Sequence, residues 1–174
     1  MRVTIKGMNK VQKNVKKVLL DTIVNKANRK EIGDKLLEKM IGSARSGKDP
    51  ATNESFKPLK KKTKAFRKKW KENEGETGKL FKPNRSNLTL TGQLLESVKA
   101  IYETGKPTIE ITPTGERDDG KKNAEIGKGH MEGIPSRNVP ARRFLGVSDK
   151  MKEATTKTIK RQLRRSLTKF NRRK

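Results

Sequence analysis

The chain runs to 174 residues, 29% of them apolar and 37% charged, with 45 lysines and arginines against 19 acidic residues and a formal net charge of +26. So few apolar side chains close only a small core, and the surplus positive charge favours contact with polyanions or acidic protein surfaces. The lack of cysteine and the single histidine exclude a disulfide framework, a thiolate metal site and the imidazole clusters that hold zinc, so no metal or cofactor is expected.

The length predicts a single domain over 1–174. Met1 to Val15 is basic and broken by polar residues, and no apolar run is long enough to span a bilayer. A soluble product of the cytoplasm with no membrane partner is expected. Val3 and Ile5 alternate with polar neighbours and predict a short first strand. Met8, Val11, Val15, Val18, Leu19 and Thr22 or Ile23 then fall at the spacing of a helix with one buried stripe. Asn28 followed by Glu31 reads as a capping box opening a second helix that carries Ile32, Leu36, Leu37, Met40 and Ile41. Two helices, or one kinked helix, are expected over about 8 to 45.

Between Ser46 and Asn87 the pattern gives way to glycine, proline, asparagine and lysine, with Phe56, Leu59, Phe66, Trp70, Leu80 and Phe81 as its few anchors. An extended basic loop or arm is expected over 46–87, with a helical turn or two in Lys60 to Lys71, and its length suits docking on a neighbouring subunit. Thr91 is placed to cap a short helix bearing Leu94 and Leu95. Val98, Ala100 and Tyr102, then Ile109 and Ile111, alternate on either side of turn chemistry at Glu103 to Pro107 and predict a hairpin. Ala124 and Ile126 are candidates for a third strand. Ser148 is placed as an N-cap, and Met151, Thr155, Ile159, Leu163, Leu167 and Phe170 form a stripe at spacings of four and three. A C-terminal basic helix and tail is therefore expected over 148–174, its polar face carrying Lys157, Lys160, Arg161, Arg164, Arg165 and Lys169.

Catalysis finds little support. Glu116, Asp118 and Asp119 share a loop flanked by lysines, whereas carboxylates that hold a catalytic metal sit on rigid elements. His130 has no cysteine or serine elbow near it. Gly127-Lys128-Gly129 lacks the spacing with which a phosphate loop wraps its ligand. No catalytic residue and no enzymatic activity are expected. Nucleic-acid contact is within reach of so basic a chain, with affinity falling at a slope of about −0.9 per neutralised phosphate. With aromatic residues at 4% and no helix-turn-helix or zinc-finger spacing, sequence-specific reading is not expected.

Several short phrases occur in a fixed order: Phe56-Lys57-Pro58-Leu59 with Thr63; Leu88, Thr91, Gly92, Leu94 and Ser97; His130-Met131-Glu132-Gly133; and Val139-Pro140-Ala141-Arg142-Arg143-Phe144-Leu145-Gly146. Over about residues 30 to 170 this order resembles the virion morphogenesis or tail-completion family of tailed bacteriophages. Phe56 stands where tryptophan is more usual in that pattern, and Arg143 replaces a second proline.

The resemblance implies a structural virion protein of the neck, a ring of identical subunits joining the DNA-filled head to the tail. Such a ring is assembled in the host cytoplasm and located at the head-tail junction. Its partners would be itself, connector or portal-side and tail proteins, and the packaged double-stranded DNA.

The expected fold is α+β: N-terminal helices, a small antiparallel sheet from about 95 to 130, and a C-terminal amphipathic helix packed across it. Candidate subunit or partner contacts are Phe56, Leu59, Trp70, Phe144, Leu145, Leu163 and Phe170. Candidate contacts to DNA or an acidic surface are Lys160, Arg161, Arg164 and Arg165. The residues also leave open a non-specific nucleic-acid-binding protein of ribosomal or nucleoid type.

Overall fold

The computed structural model describes residues 8–73, 93–117 and 119–172, the side chains of 8–11, 70–73 and 137 excepted. The expected first strand at Val3 and Ile5, and Leu80, Phe81, Leu88, Thr91 and Gly92, fall outside that range. The architecture is α+β: helices around one two-stranded antiparallel sheet.

Helix α1 (Met8–Val24) leads almost without interruption into α2 (Lys26–Arg45). The backbone ladder carries across the joint, with Asn25 N–H donating to Asp21 O and Arg29 N–H to Asn25 O, both at 3.1 Å. The cap is Asn25, three residues before the expected Asn28. Its side chain accepts from Asn28 N–H at 3.2 Å, while the Asn28 amide donates to Thr22 O at 2.9 Å. The second asparagine thus ties the end of α1 to the first turn of α2.

Gly47 ends α2 in the left-handed region at φ 78°. Its N–H donates to Ala44 O, and Lys48 N–H to Ser43 O, both at 3.0 Å, so two otherwise orphaned helix carbonyls are satisfied. Asp49 then closes a tight loop: its carboxylate accepts from Ala51 N–H at 2.8 Å, its N–H donates to Glu54 O, and Lys48 bridges Ser55. The loop delivers Phe56 into the core, its N–H bonded to Gly47 O at 2.8 Å. The first part of the expected arm is therefore folded onto the body. From Lys61 to Asn73 the chain forms a 13-residue helix, α3, longer than the turn or two expected; Phe66 and Trp70 supply too weak an apolar row to announce it.

After α4 (Gln93–Glu96), strands β1 (Val98–Ile101) and β2 (Glu110–Pro113) pair with Val98 opposite Pro113 and Ile101 opposite Glu110. The loop between them is held to α2 from two sides. Arg29, buried to 3% exposure, donates through Nη1 to Glu103 O at 2.7 Å and Thr108 O at 3.3 Å. Tyr102 lies over Gly33, where a Cβ would fall 2.4 Å from the phenol oxygen, and its hydroxyl donates to Asp34 Oδ1 at 3.1 Å.

The third strand expected at Ala124 and Ile126 is instead α5 (Asn123–Glu132). Asn123 closes the preceding turn, its N–H donating to Gly115 O and its side-chain amide to Thr114 O, both at 3.0 Å. Gly127 allows the helix to lie against the sheet, because a Cβ there would meet Pro113 Cγ at 2.9 Å and Phe144 Cζ at 3.3 Å. Arg142 N–H then donates to His130 O, which fixes the return of the chain. The last helix, α6 (Asp149–Asn171), packs on α1 and α2, not across the sheet as expected.

The core is one cluster of Ala44, Phe56, Leu94, Leu95, Val98 and Phe144, with Leu37, Ile41, Ile111, Ile126, Met131 and Leu145 around it. Phe144 has no exposed surface. Replacing it with alanine removes a ring to which α5 and the core cluster are fitted. Phe144→Ala should lower unfolding free energy by about 3–5 kcal/mol, read from urea denaturation.

Candidate polyanion interface

Helix α6 begins where Ser148 Oγ accepts from Met151 N–H at 3.3 Å, with Asp149 at the positive end of the helix dipole. One side packs inward through Met151 and Gln162, which are buried, and through Ala154, Thr155 and Thr158, which are partly so. Gln162 is the polar centre of that packing. Its amide nitrogen donates to Asn28 O at 3.1 Å and Glu31 Oε2 at 2.9 Å. Glu31 also accepts from Lys35 at 2.8 Å and pairs with Arg161.

The hydrogen bond from Lys35, then that from Gln162, hold the Glu31 carboxyl down to about 2, below its ordinary 4.5, against the opposing effect of desolvation; the charges of Lys35 and Arg161 add to the lowering. One carboxylate thus joins α2 to α6.

The other side of α6 is cationic. Lys157, Lys160, Arg161, Arg164, Arg165, Lys169 and Arg172 line an open groove together with Thr168. Successive turns place them over about 22 Å of helix at 1.5 Å per residue. No acidic residue follows Glu153 on α6. Of the four candidate contacts, Lys160, Arg164 and Arg165 are exposed on this face, whereas Arg161 is also engaged with Glu31. Such a row attracts a polyanion without reading its sequence, because it offers charge but no stacking platform.

The expected apolar contact residues separate into different places. Phe56 and Phe144 are core residues of the chain itself, at 8% and 0% exposure. Leu145 is half-buried against the core, Leu59 is half-buried near the start of α3, and the Trp70 side chain lies outside the described atoms. Leu163 and Phe170 are half-buried on α6.

Three apolar residues on α1 stand out in the structure: Val15 at 46%, Leu19 at 37% and Leu20 at 51% exposure. The expected stripe assigned Val15 and Leu19 to the interior, but only Val18 and Thr22 are buried among its described side chains. Leu20, one position off that stripe, was the sequence signal that the apolar surface of α1 is wider than the contact it makes.

A second group of basic residues gathers around α5. Burial, then the nearby charge of Arg142, brings Arg67 down to about 10. Burial lowers Arg142 as well. His130 is pushed below its usual value, by burial first and then by Arg142 and Arg117. It is thereby kept neutral near pH 7, and its Nδ1 is buried without a hydrogen-bond partner. Asp119 is salt-bridged to Lys121 at 2.7 Å, and Asp118 lies outside the described residues. Among the described residues no three His, Cys, Asp or Glu side chains come together as a metal site, and no helix is long and apolar enough to cross a membrane.

Small core, cation-faced terminal helix and a carboxylate clamp define an α+β protein with a strongly basic described surface. The model of the phage virion morphogenesis family matches residues 7–164, from the start of α1 to Arg164 in α6, and the chain belongs to that family. It is thus a bacteriophage protein of virion assembly. No curated protein and no solved structure shows a significant match to it.

The Glu31 clamp has a defined pH window. Because its folded value lies below its ordinary one, its contribution is complete above pH 4.5 and is lost as pH falls towards about 2. Glu31→Gln should be less stable than the parent by a constant margin above pH 5. That margin should shrink between pH 4.5 and 2, as measured by thermal unfolding across the range.

Proposed function

We propose that the protein is a component of the phage neck: its subunits form a ring at the head-tail junction, joining the connector to the tail and holding the end of the packaged DNA. Membership of a virion-assembly family supplies the setting. The observation that carries the reading further is the cationic face of α6, free of acidic residues beyond Glu153. A ring built with that face towards its lumen presents a collar of guanidinium and ammonium groups to double-stranded DNA. Contact through phosphates alone suits a junction through which every sequence of the genome must pass. The mechanism is association, without covalent chemistry.

Ring closure needs two different, complementary patches on each subunit. With Phe56 and Phe144 in the core, the apolar surface available for this among the described residues includes the exposed Phe66 of α3, the half-buried Leu59 before it, and the exposed Ile101 and Val147. The neck adaptor and the tail terminator beside it are both compatible with this arrangement. A general nucleic-acid-binding protein is the second reading, favoured by the net charge of +26.

Disrupting the gene in its phage separates these readings. The neck role predicts a lysate containing complete heads and complete tails that fail to join, visible by electron microscopy. Normal joined virions would overturn it and leave the nucleic-acid binder. On the DNA face, changing Lys160, Arg161, Arg164 and Arg165 together to glutamine should reduce the slope of log affinity against log salt by about 3. Each freed phosphate contributes about 0.9, and Arg161 is partly committed to Glu31. An unchanged slope would place the contact elsewhere.

A further inference from the structure

The side of the α1–α6 pair away from the cationic face is apolar. Helix α2 covers the first half of α6, where Ile32, Lys35, Leu36 and Lys39 meet Met151, Ala154, Thr155 and Thr158. Helix α1 packs on α6 beyond that point. The two helices are related by a simple rotation. On α1, Leu19 and Ile23 follow the buried Val18 and Thr22 by one residue; on α6, Ile159 and Leu163 follow Thr158 and the buried Gln162 by one residue. One residue is 100° of helix, and in an antiparallel pair equal rotations from a shared contact line bring both rows to the same side. Ile23 and Ile159 do meet there, lining one cleft of about 250 Å³ roofed by Pro107 and Ile109 of the hairpin loop. From that cleft the row continues to Leu19 and Val15, at 37% and 46% exposure.

We propose that this groove receives an acidic amphipathic helix of another protein. The rows lie at the four-residue spacing that accepts apolar anchors at i, i+3 or i+4, and i+7 of an incoming helix. Charge decides what that helix must be. Lys16 borders the groove on α1, where Asp21, the one acidic residue among positions 12–24, falls on the far side of the helix. Lys160 borders it on α6, where no acidic residue follows. A second copy docked face to face would set lysine against lysine on a chain already at +26, whereas glutamates flanking an apolar row would meet cations on both sides. The cleft takes one large apolar side chain of the incoming helix, and the groove grips the turns on either side. This assignment stands whether or not the subunits close into a ring.

The probe is a fluorescent 18-residue peptide with leucines at i, i+3, i+4 and i+7 and glutamates elsewhere, beside a scrambled peptide of identical composition. Both are titrated by anisotropy against the full chain at an ionic strength near 0.3 M. The amphipathic peptide should bind at least tenfold more tightly than the scrambled one. Val15→Ser with Leu19→Ser, two exposed positions, should weaken it about tenfold, and Arg164→Gln with Arg165→Gln on the opposite face by less than threefold. Should the double serine variant melt early, a photo-crosslinking residue replacing Leu20 should capture the amphipathic peptide and spare the scrambled one.

Equal binding of the two peptides, no binding of either, or a larger loss from the arginine changes would overturn the proposal in favour of charge alone. A dimer of the parent protein in sedimentation that Val15→Ser with Leu19→Ser dissolves would also overturn it, by giving the groove to a second copy.

Discussion

Mutual repulsion among cations is the constraint under which this chain folds, and its buried cations show how it is met. Arg29 is almost wholly enclosed, yet its charge faces the carbonyl oxygens of Glu103 and Thr108 and so meets dipoles. The same guanidinium fastens the hairpin to α2, and the hairpin in turn roofs the cleft between α1 and α6. Most other basic groups are left in water, where desolvation costs nothing. The apolar interior can therefore stay small, with one ring, Phe144, at its centre.

A single carboxylate organises the other half of the molecule. Glu31 gathers Lys35, Arg161 and Gln162, and by pairing with Arg161 it sets the edge between the side of α6 that packs and the side that stays free. Without an anion at that point the first two turns of α2 and the middle of α6 would present like charges to each other. Acidic residues are scarce here, and this one sits between Lys35 of α2 and Arg161 of α6.

Much of this was legible in the sequence, and the failures have physical reasons. Ser148 followed by an apolar stripe located the start of α6 to the residue, because cap and period agree. The start of α2 was misplaced because Asn25 and Asn28 carry the same capping chemistry and only the tertiary structure gives Asn28 another use. The helix at Asn123–Glu132 read as a strand because Gly127 and Gly129 depress helix propensity, and the close approach of Gly127 to Pro113 and Phe144 that rewards a glycine is invisible along the chain. The cations of the candidate DNA face were found by spacing alone. The aromatic residues were not so readable: Phe56 and Phe144 look as fit for an interface as for a core, and burial is a property of their neighbours.

The seat of Tyr102 on α2 gives the molecule an optical property. This is the chain's one tyrosine, and burial, followed by the hydrogen bond to Asp34, raises its ionisation to about 12. Gly33 beneath it, with no Cβ, leaves the space that the ring fills while the hairpin is docked. The phenol is therefore an intrinsic chromophore for a single event, the seating of the hairpin on α2. Anything that lifts the hairpin, including pressure on the roof of the neighbouring cleft, returns that chromophore to water and to the absorbance of a free tyrosine.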